Sequence, residues 1–190
     1  MKKIFVLICL LLVFSCSEKS EHISKDDYKT YKSFVENSDW YKSILKKSGK
    51  NKIDFKKTNS KELSDPIDII DGSNYKESME KYYIYSPNKE YILDPNTYGL
   101  EIDPRTNEEM RDADRAVFLY DLKNNKSARI LFIGPSGTID LVSWINESSF
   151  FIITTDHENG EKNNINIKVY SIEDNKIYEI NEFYSEIVIK

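Results

Sequence analysis

The chain predicts a mainly β protein: an antiparallel sheet, or a sandwich of two similar four-stranded units, preceded by a short helical N-terminal segment. Three observations carry that prediction. From Tyr82 onward, short runs rich in aromatic and β-branched residues recur without intervening helical periodicity. Clusters of Asn, Asp, Gly, Pro and Ser separate them, which are turn-forming residues. One order of phrases also occurs twice: Tyr85 to Leu93 can be laid over Trp144 to Ile152, and Phe118 to Lys126 over Lys168 to Lys176.

The helical segment comes first. Ser24 is placed to cap it, with Asp26 and Asp27 in the first turn, and Tyr28, Tyr31, Phe34 and Val35 recur at helical spacing. Asn37-Ser38 interrupts this run. Ser38 then caps a second helix with Trp40, Tyr41, Ile44 and Leu45 on one side, Lys46 and Lys47 in its last turn, and Gly49 as the stop. From Lys50 to Lys81 the pattern is irregular, broken at Pro66 and Gly72, with one short strand expected at Pro66 to Ile70.

Strands are expected at Tyr82–Tyr85, Tyr91–Leu93, Ala116–Leu122, Ala128–Ile133, Ile139–Ile145, Phe150–Thr155, Ile165–Ile172, Lys176–Ile180 and Phe183–Ile189. Each repeated unit reads as an aromatic, a polar turn, an apolar strand, a loop, a strand ending in a tyrosine phrase, a turn and a last strand. Residues 82–180 thereby resemble the four-stranded blades of a β-propeller. Two blades cannot close a ring, because propellers usually have four to eight. The resemblance therefore implies blade-like units packed as a sandwich or as one open curved sheet, with the helices covering an apolar face.

The start of the chain carries a different signal. Lys2 and Lys3 precede an unbroken apolar run from Ile4 to Phe14, closed by Ser15-Cys16 and then polar residues. That run is shorter than the roughly 20 apolar residues a membrane-spanning helix needs, and it suits a signal-peptide core. The string resembles a bacterial lipoprotein signal, in which the small residue before the cysteine permits cleavage and the thiol is then acylated. Phe14 stands where such signals more commonly have a small residue. The resemblance implies lipidation at Cys16 and a division into a signal peptide (1–15), a lipidated tether (16–24), a helical and irregular segment (25–81) and an antiparallel β domain (82–190). It also implies a location in the cell envelope, anchored to a membrane outside the cytoplasm. Ser17 follows the cysteine, where some bacteria use aspartate for inner-membrane retention, so the outer membrane is expected if the cell has one.

Composition narrows the function. Removing residues 1–15 leaves 175 of 190, enough for one modest domain, and takes the formal charge from −5 to −7 with the loss of Lys2 and Lys3. An acidic balance with only short basic pairs, Lys46-Lys47 and Lys56-Lys57, argues against a nucleic-acid partner. Both cysteines, Cys9 and Cys16, fall in the signal region, so no disulfide or thiol chemistry is available to the processed chain. No cofactor is implied.

Candidate chemistry is sparse. Asp156-His157-Glu158, with Glu161 nearby, sets an imidazole among carboxylates and is the candidate for acid–base or metal work. Asn159-Gly160 makes the same stretch a natural hairpin tip. Asp94, Asn96, Glu101 and Asp103 lie near the spacing of a calcium loop, but Tyr98 and Arg105 occupy positions where that loop requires oxygen ligands. Gly134-Pro135-Ser136-Gly137 lacks the second glycine of a nucleophile elbow, where Thr138 stands, and reads as a tight turn. Arg111, Asp112, Asp114 and Arg115 suggest a short exposed helical turn laced by charge pairs.

The thirteen tyrosines suit either a binding face for sugar or peptide, or half-buried sheet positions. Three functions follow as expectations. The first is a non-enzymatic binding or assembly module that meets an envelope protein or glycan through an aromatic-rich sheet face or edge, for which the tyrosines and Trp144 would form an exposed contiguous patch. The second is a carboxylate- and His157-based hydrolase or metal-dependent enzyme. The third is an immunity-type lipoprotein that blocks a toxin.

Overall fold

The structure, a computed structural model, describes residues 32–57, 66–157 and 162–188. Cys16, Ser24, Tyr28, Tyr31, Glu158, Glu161 and Asn159-Gly160 lie outside the described residues.

Two antiparallel sheets pack face to face. The first meander consists of β4 (Ile84–Tyr85), β5 (Tyr91–Asp94), β8 (Arg115–Asp121) and β9 (Lys126–Ile133), hydrogen-bonded in that order. Between β5 and β8 stands a separate hairpin, β6 (Leu100–Ile102) with β7 (Glu109–Arg111). The second meander consists of β10 (Gly137–Trp144), β11 (Ser149–His157), β12 (Lys162–Glu173) and β13 (Lys176–Val188). The predicted repeat is thus a structural one: β4, β5, β8 and β9 correspond in order to β10 through β13. The Gly134–Gly137 turn, closed by a Gly137 N–H to Gly134 C=O bond of 3.2 Å, passes the chain from one meander to the next.

Alternation explains the core. Leu93, Val117, Leu119, Ala128 and Ile130 of the first sheet meet Val142, Trp144, Phe150, Ile152 and Tyr170 of the second. The opposite side of the second sheet, formed by Phe151, Ile153, Ile165, Ile167, Val169 and Phe183, packs under the helices. Being covered on both faces, β11 is apolar without alternation, and Phe150 to Ile153 are all fully buried.

The helical cover is α1, helical over residues 32–37, followed by α2 (Asp39–Ser48). Ser38 breaks them as expected: its hydroxyl donates to the Val35 carbonyl (2.7 Å) and accepts from the Tyr41 N–H (3.1 Å). Gly49 ends α2 at φ +65° and returns its N–H to the Leu45 carbonyl. Tyr41 and Ile44 are buried against the sheet, whereas Phe34 is 47% exposed.

Several elements differ from the sequence expectation. The single strand expected at Pro66 to Ile70 is two: β2 (Ile67–Asp68) pairs with β13 and β3 (Ile70–Asp71) pairs with β9, so the strip bridges both sheets. A further short strand, β1 (Lys56–Lys57), pairs with β13 at Phe183 and Tyr184. Lys176–Ile180 and Phe183–Ile189 are one continuous β13, because the long β12 offers an unbroken partner. The irregularity is absorbed where the pairing steps from Val169–Asn181 to Tyr170–Glu179. The expected helical turn around Arg111 to Arg115 is instead strand β7, a bend and the start of β8. Its charges do not pair along a helix: Arg111 donates to the Asn96 carbonyl and pairs with Glu109 on the same strand, and Arg115 donates to the Asp112 and Asp114 carbonyls. Tyr82 ends a 3-10 helix (Glu77–Tyr82) rather than opening a strand.

Candidate functional site

The face of the first sheet that points away from the second carries Ile92, Asp94, Phe118, Tyr120 and Phe132. Two excursions from the meander lie over it. One is the segment from Ser73 to Tyr83, including the 3-10 helix; the other is the Thr97–Leu100 approach to the β6–β7 hairpin. Between them runs a cleft of about 240 Å³, floored by Phe118 and Tyr120. Asn74, Lys76, Met79 and Tyr83 line one bank, and Thr97 to Leu100 the other.

The rings form one contiguous series. Tyr75 and Tyr83 have centroids 5.4 Å apart, Tyr83 and Tyr120 5.8 Å, and Phe118 and Tyr120 6.4 Å with planes only 6° apart. Tyr98 continues it, 6.2 Å from Phe118 and 5.9 Å from Phe132, the latter at 89°. These are favourable aromatic separations. Tyr75, Tyr83, Tyr98 and Phe118 are partly exposed, and Phe132 is 46% exposed, so the series reaches the surface.

Asp94 organises the floor. Its fully buried carboxylate accepts from the backbone N–H of Asn96 (3.0 Å) and Thr97 (2.9 Å), from the Thr97 hydroxyl and from the Tyr120 hydroxyl (3.1 Å). The carboxylate is therefore fully used in holding the loop, which is a structural task and not a calcium site. Burial pushes the Tyr120 phenol up, with the Asp94 charge adding to the effect, and burial likewise raises Tyr83. Both stay protonated, neutral hydroxyls at ordinary pH.

The two banks are tied together. Glu109 on β7 accepts from Lys81 Nζ (3.0 Å) and from the Tyr82 hydroxyl, and pairs with Arg111 (3.2 Å). Arg111 also donates to the Asn96 carbonyl (2.7 Å), while Asn96 Nδ2 donates to the Tyr82 carbonyl (3.2 Å). The Tyr82 and Lys81 hydrogen bonds hold the Glu109 carboxyl down at about 2. Gly99 permits the close approach of the hairpin. A Cβ there would lie 2.6 Å from that of Asp112, and its φ is +64°.

The other candidates do not assemble. Asp156 and His157 are neighbours on β11, so their side chains leave opposite faces of the sheet. Asp156 accepts from Asn166 Nδ2 (3.0 Å), and His157 Nδ1 lies 2.6 Å from Asn163 Oδ1. Asp103 accepts from the Arg105 N–H (2.7 Å) and pairs with its guanidinium (3.6 Å) at the hairpin turn, sharing no partner with the Asp94 carboxylate. Ser136 lies in the exposed inter-sheet turn, where its carbonyl accepts from the His157 N–H. Among the described residues no group of three or more His, Cys, Asp or Glu is placed to hold a metal ion, and no helix is long and apolar enough to cross a membrane. Trp144, expected in the aromatic face, is instead 7% exposed in the core, with its Nε1–H donating to the Ile84 carbonyl (2.9 Å).

Comparison with known proteins finds no match among family models, curated proteins or solved structures.

Proposed function

We propose that the chain is a membrane-anchored extracytoplasmic lipoprotein whose β-sandwich serves as a non-enzymatic binding or assembly module. The observation that carries the binding role is the aromatic cleft on the free face of the first sheet. Partly exposed rings over a rigid floor, with polar groups at the banks, suit recognition of another surface. The anchor rests on the string from Lys2 to Cys16. Two acyl chains at one cysteine would hold the protein stably at a bilayer.

Both halves are tested together in cells. Labelling with an alkyne fatty acid is expected to mark the wild type and to spare Cys16→Ser, which is recovered outside the membrane fraction. A photo-crosslinking residue in place of Phe132 is expected to give a discrete envelope adduct that the same residue at Leu122, an exposed turn position, does not. An unlabelled wild type refutes the anchor. Identical crosslinking at the two positions refutes the cleft as the binding face.

A further inference from the structure

We infer that the cleft seats a single pyranose residue of a glycan. This rests on the binding role proposed above and names its ligand. Size comes first: about 240 Å³ is below the roughly 300–1,000 Å³ typical of sites for drug-sized ligands, and suits one six-membered ring.

Chemistry comes next. Phe118 and Tyr98, both partly exposed, offer aromatic faces and edges for the C–H side of a sugar, with the buried Tyr120 beneath them. Hydrogen-bonding groups sit on the banks. Among the described residues the Asn74 amide and the Lys76 ammonium join no hydrogen bond or ion pair, and both residues are exposed at the cleft. The Asn74 amide both donates and accepts, and the Lys76 ammonium donates, which matches the dual character of sugar hydroxyls. The one carboxylate in the floor, that of Asp94, is consumed internally.

Other ligand classes fit less well. An extended peptide adding a strand needs a free strand edge beside the cleft. Here the floor belongs to β8, which is paired with β9 on one side and β5 on the other and offers no free edge. A nucleotide phosphate calls for several cations, and Lys76 is the single cation among the lining residues. An acyl chain has no use for the polar bank.

The experiment is amide NMR of the full-length chain in a detergent without a sugar headgroup, titrated with the methyl glycosides of glucose and N-acetylglucosamine. A ligand of that size is expected to bind with a Kd of about 1 mM, shifting Asn74, Tyr98 and Gly99. Tyr98→Ala and Asn74→Ala are each expected to weaken it about 3–10-fold. Asn74→Ala removes no hydrogen bond among the described residues, so its loss of binding with an otherwise unchanged spectrum supports the inference directly. A proline-rich peptide that shifts these amides while neither glycoside does overturns the saccharide and leaves the binding role standing. Silence from both probes overturns the saccharide as well. The binding role itself then stands or falls on the Phe132 crosslink.

Discussion

Trp144→Phe measures how the two sheets are held together. The indole lies in the inter-sheet core, 5.3 Å from the Phe150 ring and 6.3 Å from Tyr91, and its Nε1–H closes on the Ile84 carbonyl of β4. It therefore joins the first strands of the two meanders. Phenylalanine keeps one six-membered ring but cannot donate. The lost hydrogen bond is worth about 1 kcal/mol, and the Ile84 carbonyl is left to find water at the edge strand. The vanished part of the bicycle leaves a void of roughly 40 Å³, adding about 1 kcal/mol at about 24 cal/mol per Å³. Together these give about 2 kcal/mol. For a chain of this size that lowers Tm by roughly 4–8 °C. Urea unfolding followed by far-UV circular dichroism provides the measurement, since Trp40 complicates fluorescence. A loss below about 0.5 kcal/mol would refute the reasoning. So would separation of the transition into two steps, because the sheets would then be stable without each other.

Two more perturbations follow from the same geometry. At Gly137 an added Cβ would lie 2.4 Å from Ile133 Cγ2 and 3.0 Å from Asp156 Oδ1, so Gly137→Ala is expected to cost about 1–3 kcal/mol; an unchanged urea midpoint would show that the inter-sheet turn is looser than described. Glu109 has its folded-state carboxyl lowered from about 4.5 to about 2, so its support for the hairpin is complete above pH 4.5 and is lost as the pH falls toward 2. Hydrogen exchange of β6 and β7, corrected for intrinsic rates, is expected to rise across that interval in the wild type. In Glu109→Gln it is expected to be elevated already at pH 5 and to rise less across the interval, the remaining rise coming from Asp103 at the hairpin turn, whose carboxyl is also lowered by its backbone hydrogen bonds.

The sheets were legible in the sequence because their strands obey local rules. Phe150 to Ile153 announces a strand covered on both faces, and Ser38 and Gly49 announce the two ends of a helix by their own side-chain and backbone chemistry. The correspondence of Tyr85–Leu93 with Trp144–Ile152 was readable because both place an aromatic before a polar turn and an apolar strand. The cleft was not readable, since it arises from what is inserted between strands. Nothing local in Asn74 or Tyr98 says that their segments fold over Phe118 and Tyr120. Likewise, a long-range partner decides the fate of Trp144: the Ile84 carbonyl, sixty residues away, draws it into the core. The charges from Arg111 to Arg115 follow the same logic: Arg111 reaches the Asn96 carbonyl, fifteen residues back, which an i,i+4 rule cannot see.

The strip from Ile67 to Gly72 has a mechanical meaning. Its Ile69 N–H reaches the Asn175 carbonyl (3.3 Å) and its Gly72 N–H the Asn125 carbonyl (3.1 Å), at turns that occupy the same place in the two meanders. Both asparagines adopt positive φ, and each turn is followed by a lysine paired with an aspartate of the strip, Lys176 with Asp68 and Lys126 with Asp71. One short ribbon thus grips both layers at equivalent points, like a rivet through two plates. Sliding either layer past the other would shear both sets of bonds at once, so thermal motion at this corner should be shared by the whole sandwich and not divided between halves.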